Sequence, residues 1–422
     1  MRVNVLAQLN DPGLVAGQGG QRQVSIALTA NPEGVGDGAP LNLCLILDHS
    51  GSMAGQPLET VKQAAKTLVD RLDASDRLSV VAFDHKAKTL VPNQLVTDTA
   101  AIKAKISSLE ANGGTAIDLG MKLGIEQLAE GKKGTISQAF LLTDGENEHG
   151  DNDRCLSFAK LAASYNITLN SLGFGYHWNQ DVLEQIADAG GGQLSFIEYP
   201  EQAVVAFTDL LKRVESVGLT NAHLVMELAD GVKLADYKPI AQVAPDTIEL
   251  EHQVTNNGTY SVRVGDLLVD TPRTLLVNLY TDALPDGPQV LAYFQVCYDD
   301  PATGKVGVVS ERVPISIQVS AVHQPQVNPE VQKSILTLAK YRQTQIAETK
   351  LQQGDRTGAA TLLQSAAQTA RQMGDEQGAT VLQKSATQLQ SGKDLSEADR
   401  KKTRMVSKTM LSGPTSQSPP TP

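Results

Sequence analysis

Residues Leu41-Asn-Leu-Cys-Leu-Ile-Leu47 form a near-continuous apolar run that stops abruptly at Asp48-His-Ser-Gly-Ser52. A strand apolar on both faces belongs inside a mostly parallel sheet covered by helices, because a sheet with one wet face would alternate apolar and polar residues. The patterning downstream agrees. It predicts helices over 58–72, 99–109, 116–129, 155–165, 180–189 and 201–214, and strands over 77–83, 137–142, 167–174 and 192–197. Strands alternating with helices in this way specify βαβ units, so residues 41–217 read as one Rossmann-like α/β domain.

The flanks have a different character. Residues 1–40 hold two strand-like runs, 2–9 and 23–29, around the turn Gly17-Gln-Gly-Gly, and end in a loop dense in Gly and Pro. Residues 218–322 lose helical periodicity and give strand-like runs at 222–228, 247–253, 259–264, 274–280, 290–298 and 307–318. Turn chemistry at Asn256-Asn-Gly258 and Pro285-Asp-Gly287 separates some of them. This is an antiparallel β-domain. The 1–40 strands are expected to pair with it in one β-sandwich, with the α/β domain as an insertion. Residues 328–411 are rich in Ala, Leu, Gln and Lys without strand signal, and read as a helical hairpin or bundle. Gly354-Asp-Arg-Thr-Gly-Ala-Ala and Gly374-Asp-Glu-Gln-Gly-Ala-Thr repeat within it. Each Gly can end one helix and each Asp can cap the next. Residues 412–422, rich in Ser, Pro and Thr, are expected to be a disordered tail.

The chemistry concentrates where the apolar strand ends. Asp48, Ser50 and Ser52 sit on the loop after a buried strand, and ligand sites of open α/β sheets lie beyond the carboxyl ends of the strands. Two other loops can converge there. Gly113-Gly114-Thr115 precedes a helix, and Asp144 follows the strand ending at Thr143. Two carboxylates and three hydroxyls make an all-oxygen set that suits a hard octahedral ion such as Mg²⁺ or Mn²⁺, and not zinc. Two carboxylates are too few for a tight Ca²⁺ cage.

The set Asp48-x-Ser50-x-Ser52, Thr115 and Asp144 resembles the metal-ion-dependent adhesion site of von Willebrand factor type A (vWA) domains, in the form common among bacterial members. Asp76-Arg-Leu-Ser-Val-Val-Ala-Phe83, Leu141-Leu-Thr-Asp-Gly145 and Gly173-Phe-Gly175 resemble the family's later strands. The resemblance implies Mg²⁺, with Mn²⁺ or Ca²⁺ as substitutes. Ser50, Ser52 and Thr115 would ligate it directly or through water, Asp48 and Asp144 would ligate it or hold its waters, and a partner protein would supply an acidic side chain. It implies a non-enzymatic scaffold. An adaptor for an AAA+ ATPase of chelatase or MoxR type is the alternative, and a metal-assisted phosphoester hydrolase a lesser one.

Other residues are rim or supporting candidates. His49 is expected to face solvent. Asp118, one turn after Thr115, either supports the site or interacts with the helix dipole. Gly114 and Glu146 flank site positions. Trp178 follows Tyr176 and His177 in an exposed-looking turn that reads either as a contact site or, at least equally, as local packing. The run 144–153 is acidic but departs from a calcium loop, with Cys155 where the terminal Glu is needed. Cys44, Cys155 and Cys297 are odd in number and far apart, so neither a disulfide framework nor a zinc cluster is expected, and Cys44 reads as a buried hydrophobe.

Charge supplies the last constraint. The net charge is −11, which argues against non-specific nucleic-acid binding. It divides into −16 for residues 1–323 and +5 for residues 324–422. The basic run Arg400-Lys-Lys-Thr-Arg404 can dock an acidic surface, this chain's own included, but a solvated helix face is the plainer expectation. Neither a signal peptide nor a membrane span is expected, which points to a cytoplasmic protein.

Overall fold

The computed structural model describes residues 1–32, 38–255, 257–269 and 271–409. The apolar run becomes the strand Leu41–Asp48, at the centre of a six-stranded sheet. The order across that sheet is Ala87–Leu95, Arg77–Phe83, Leu41–Asp48, Ile136–Thr143, Ile167–Phe174, Gly191–Ile197. All neighbours are parallel except the first pair, in which Ala87–Leu95 runs antiparallel as an edge strand.

Six helices cover the two faces: α1 (Gln56–Val69), α2 (Thr99–Ser107), α3 (Ile117–Gly131), α4 (Asn152–Ser164), α5 (Gln180–Gly190) and α6 (Ala203–Glu215). The central strand's side chains divide by parity. Leu41, Leu43, Leu45 and Leu47 enter a core with residues of α1, α2 and α6, while Cys44 and Ile46 enter a second core with α3, α4 and α5. That two-sided burial is why the run contains so little polar punctuation.

Strands from both flanks build two further sheets. In one, Arg2–Leu9 pairs with Gly20–Asn31, which pairs with Arg273–Thr281, then Ile240–Ala244 and Ile248–Glu249. Val232–Leu234 also pairs with Arg273–Thr281. In the other, Gln253–Val254, Tyr260–Leu268, Val217–Leu228, Gly287–Asp300 and Val313–Ser320 run antiparallel, and Gly13–Val15 adds parallel to the last. The segment read as 307–318 is two strands, Lys305–Val309 and Val313–Ser320. Val24, Ile26, Leu28, Leu224, Val262, Val277, Phe294 and Ile317 share one core between these sheets. The α/β domain is therefore inserted between the two parts of an antiparallel β-region.

A polar joint seats the inserted domain. Arg273, fully buried, donates from Nε to the Asp266 carbonyl (2.7 Å), from Nη1 to Gln242 Oε1 (2.8 Å) and from Nη2 to the Gly191 carbonyl (3.3 Å). Asp266 Oδ2 accepts from Gln138 Nε2 (2.7 Å) and Thr168 Oγ1 (2.8 Å), both on strands of the inserted sheet.

The C-terminal region comprises α7 (Pro329–Gln352), α8 (Arg356–Gln372), α9 (Glu376–Gln390) and α10 (Glu397–Lys408). The sequence repeat has the expected capping role. Gly354 and Gly374 take positive φ after α7 and α8, and Asp355 and Asp375 accept from the amides of Gly358 (2.8 Å) and Gly378 (2.9 Å) to start α8 and α9. Small residues at the seams, Ala359, Ala366, Ala370, Ala379 and Ala386, let the helices approach closely. Val331 and Leu338 of α7 pack on Ala241, Val243 and Leu276 of the β-region. The tail expected over 412–422 and the Asn256 turn position lie outside the described residues.

Lys340 of α7 is fully buried, and its ammonium reaches Asp375 Oδ2 (2.8 Å) and the Val406 carbonyl (2.7 Å). Removing one partner of such a pair leaves an uncompensated buried charge, which costs about 3–5 kcal/mol. Asp375→Ala should therefore destabilise the helical region by that order in urea unfolding followed by circular dichroism. Asp355→Ala, the exposed counterpart in the repeat, should shift the curve far less.

Candidate metal centre

Asp48 ends the central strand with its carboxylate buried. Its Oδ1 accepts the amide of Ser50 (2.8 Å), which turns the chain into the short 3₁₀ segment Gly51–Met53. Its Oδ2 accepts the hydroxyl of Thr143 (2.5 Å), at the end of the adjacent strand. The hydroxyls of Ser50 and Ser52 lie 3.0 Å apart, and Ser52 Oγ donates to Asp144 Oδ1 (2.7 Å). Asp48, Ser50, Ser52 and Asp144 thus form one hydrogen-bonded series.

The third loop joins through its backbone. The Gly51 amide donates to the Gly113 carbonyl (2.9 Å). Gly113 has φ of +72°, which favours glycine, and a Cβ there would lie 2.3 Å from the His85 ring, which would have to move aside. Thr115 is buried two residues on. A Cβ on Gly145 would lie 3.3 Å from Thr115 Oγ1 and 3.9 Å from Ser52 Oγ, so the three loops meet at that glycine.

The electrostatics are unusual for two acids. Burial pushes the Asp48 carboxyl up to about 6, with the neighbouring Asp144 charge adding to the effect. Burial also raises Asp144. The hydrogen-bond partners of Asp48 are hydroxyls and one amide, all of them neutral. Among the described residues no group of three or more His, Cys, Asp and Glu is placed to hold a metal ion. A cation here would depend on the serine and threonine hydroxyls to complete its shell. The donor set fits a hard divalent ion of the Mg²⁺ kind, which accepts neutral oxygens and retained water beside one or two carboxylates.

The remaining candidates fall in different places. His49 is buried and not solvent-facing as expected. Its Nδ1 lies 2.8 Å from the Glu110 carbonyl and its Nε2 4.0 Å from Asp84, because its own backbone bridges Phe83 and Asn112 and draws the ring between loops. Trp178 is also buried, the local-packing alternative for this turn. Its indole donates to the Gly175 carbonyl (2.8 Å), and its ring lies where a Cβ on Gly173 would be. Tyr176 is half-buried and His177 exposed. Asp118 is buried at the start of α3, with Oδ2 3.1 Å from Arg154 Nη1 and Oδ1 without a partner. Gly114 lies against the His149 ring, and Glu146 is exposed at the rim. Sequence reasoning missed two contributors. Thr143 holds Asp48, and Asn147 Oδ1 accepts the Ile117 amide (2.7 Å), capping a helix whose own N-cap, Ala116, cannot. Thr143 was detectable only as a hydroxyl beside Asp144.

Residues 42–209 match the von Willebrand factor type A domain, and residues 329–413 match the Sll0103-like C-terminal alpha-helical domain. The uncharacterized protein sll0103 of Synechocystis is 57% identical over 420 residues, covering 99% of this chain and 100% of that protein. The chain belongs to this family of vWA proteins. Its fold is similar to that of a von Willebrand factor type A protein from Catenulispora acidiphila, with a TM-score of 0.81, 20% identity and 97% of each chain covered. It is also similar to the ArnB paralog VWA2 from Sulfolobus acidocaldarius, with a TM-score of 0.56, 16% identity and 96% and 98% covered. The uncharacterized YfbK of Escherichia coli is 31% identical over 167 residues, 38% of this chain and 29% of that protein. Domains of the vWA family are commonly protein-interaction modules.

The raised Asp48 carboxyl gives this vWA protein a pH signature. The folded state holds the Asp48 proton more tightly than the unfolded chain does. Stability therefore falls as pH rises from about 4 to about 6, by up to about 3 kcal/mol from this group. In EDTA, thermal unfolding of wild type should show that loss and Asp48→Asn should lack it. Burial also pushes Asp188 up to about 6, so the difference between the two proteins, not either slope alone, reports on Asp48.

Proposed function

We propose that this chain is a divalent-cation-dependent protein-binding module, with no catalytic role of its own. Ser50, Ser52 and Thr115 would offer hydroxyl oxygens to Mg²⁺, and Asp48 and Asp144 would ligate it or hold its waters. When bound, the ion would supply a Lewis-acidic position for a carboxylate from a partner's Asp or Glu. The observation that carries this reading is the adjacent acids, buried Asp48 and half-buried Asp144, both shifted upward and partnered by neutral hydroxyls where a counter-charge would relieve them. Two ligating carboxylates would roughly balance a divalent charge, and hydroxyl ligands leave that balance unchanged.

The residues also divide the work. Asp48 is held from two sides by Ser50 and Thr143, so its orientation is set before any ligand arrives. Ser52 and Asp144 are the more open members, at the mouth where a partner would enter. Glu146 and His177 border that mouth, and would favour a partner whose carboxylate is accompanied by groups that tolerate mixed charge. Among the described residues no helix is long and apolar enough to cross a membrane.

Magnesium binding measured by calorimetry should be lost in Asp48→Ala and weakened in Ser52→Ala. Affinity capture from lysate should retain a defined partner in Mg²⁺ and release it in EDTA, with Asp48→Ala failing to capture. Equal capture by wild type and Asp48→Ala, with and without EDTA, would sink the reading.

A further inference from the structure

The C-terminal helices hold the rest of the molecule by two contacts of different character. Against the β-region the contact is mixed: Val331 and Leu338 of α7 form an apolar seat, Arg342 pairs with Glu249 (2.9 Å), and the end of α10 is tied by the Thr247 amide donating to the Lys408 carbonyl (2.8 Å) and by Thr409 Oγ1 donating to Asp246 (2.8 Å). Against the vWA domain it is ionic and made by α10. Lys402 Nζ reaches Glu198 (2.9 Å), Arg404 Nε reaches Glu184 (2.7 Å), and Lys408 Nζ reaches Asp188 (2.6 Å) and Glu184 (3.1 Å). Arg404 also pairs with Asp181. Lys401 Nζ lies 4.2 Å above the Trp178 ring and donates to the carbonyls of Trp178 (2.8 Å) and Tyr176. The apolar residue Val406 of α10 faces the helical core, and no α10 side chain joins either vWA core among the described residues. Met405 shares a groove with Leu194 and is its apolar touch on this side.

This matters because of where α10 lands. The turn gripped by Lys401 follows the strand Ile167–Phe174, whose end pairs with Thr143, next to Asp144. His177, within that turn, acts electrostatically on Asp144, and Glu146 at the rim acts on Lys401. The basic helix therefore lies against the turn that carries His177, beside the rim of the candidate cation site.

We propose that α10 is an electrostatic latch on that site. Closed, its basic side chains neutralise the acidic face of α5 and Glu198. Released, it withdraws positive charge and uncovers carboxylates, and both changes make the field at Asp48 and Asp144 more favourable to a divalent cation. By linkage, a bound cation favours release of the latch by the same factor. An ionic contact of this kind weakens as salt shortens the screening length, whereas the apolar seat of α7 and the hydrogen bonds at Lys408 and Thr409 do not, so the helical domain stays attached while the basic face of α10 lets go of α5. The proposal rests on the cation-binding reading above.

The test uses the full chain and Mn²⁺ as probe. Amide hydrogen exchange over residues 397–408 should quicken in the double variant Arg404→Gln, Lys408→Gln, and in wild type at roughly 0.5 M NaCl. At low salt the double variant should bind Mn²⁺ about fivefold more tightly than wild type. The reciprocal pair Glu184→Gln, Asp188→Asn should also free α10 without tightening Mn²⁺, because it removes the carboxylates that release would uncover. Unchanged exchange over 397–408 in both variants and in salt overturns the latch. Faster exchange with unaltered Mn²⁺ affinity overturns the coupling. Absence of Mn²⁺ binding in wild type overturns the cation reading and the coupling with it, while the exchange result still decides whether α10 releases.

Discussion

The backbone pairing of Gly20–Asn31 with Arg273–Thr281 is the contact on which the rest of this molecule depends. It joins segments from the two sides of the vWA domain, so the strand Leu41–Asp48 and the strand after α6, Val217–Leu228, must leave and enter the β-region close together. An α/β domain meets that demand readily, because its first strand and last helix can both end at the same side of the sheet. The long loop closure is opposed only by an entropy that grows slowly with length. It is offset by a shared core of Val24, Ile26, Leu28, Val277 and Phe294 that neither segment could bury alone. Arg273 lies on the same strand, so the pairing that closes the β-region also places the guanidinium that holds Gly191 and Gln242.

Much of this was legible because the two-sided burial of Leu41–Leu47 leaves an unmistakable apolar run, and because the site loops follow strands whose ends are set by the sheet. The hydrogen-bonded series from Asp48 through Ser50 and Ser52 to Asp144 needs only that two adjacent parallel strands end level. What escaped was whatever depends on neighbours not adjacent in sequence. The edge strand Ala87–Leu95 carries Lys88, Thr89, Pro92, Asn93 and Gln94, a composition that an edge tolerates and that resembles a loop. His49 was misplaced for a related reason. It lies in a turn, where local pattern says nothing of burial, and it is enclosed by distant loops.

The basic run near the C-terminus shows the same limit in electrostatic form. Arg400, Lys401, Lys402 and Arg404 have the composition of a solvated helix face, and that was the expectation. The structure instead sets Lys401, Lys402 and Arg404 against Trp178, Glu198, Glu184 and Asp181. A charged face reads identically whether water or a complementary surface lies opposite. The only trace in the sequence was the division of charge between an acidic body and a basic tail, which says that attraction exists without saying where it acts. Opposed charge on α5 and α10 then does what apolar burial does for α7, but with a contact that responds to salt and to added charge.

That difference bears on how the site could be governed. A buried carboxylate with neutral partners is a local loss of stability that the sheet around it must absorb, and Asp48 is such a group. Such a site is sensitive to small changes in the surrounding field, because its ionised form is already disfavoured. An ionic contact on the neighbouring helix α5 can shift that balance without moving the strand that carries Asp48, which is fixed by pairing on both sides. An apolar contact in the same place would hold α10 more firmly but would transmit no charge. A seat on the β-region held by apolar burial and hydrogen bonds, with an ionic contact on the vWA side, lets the helical region remain part of the fold while its electrostatic influence on the site varies.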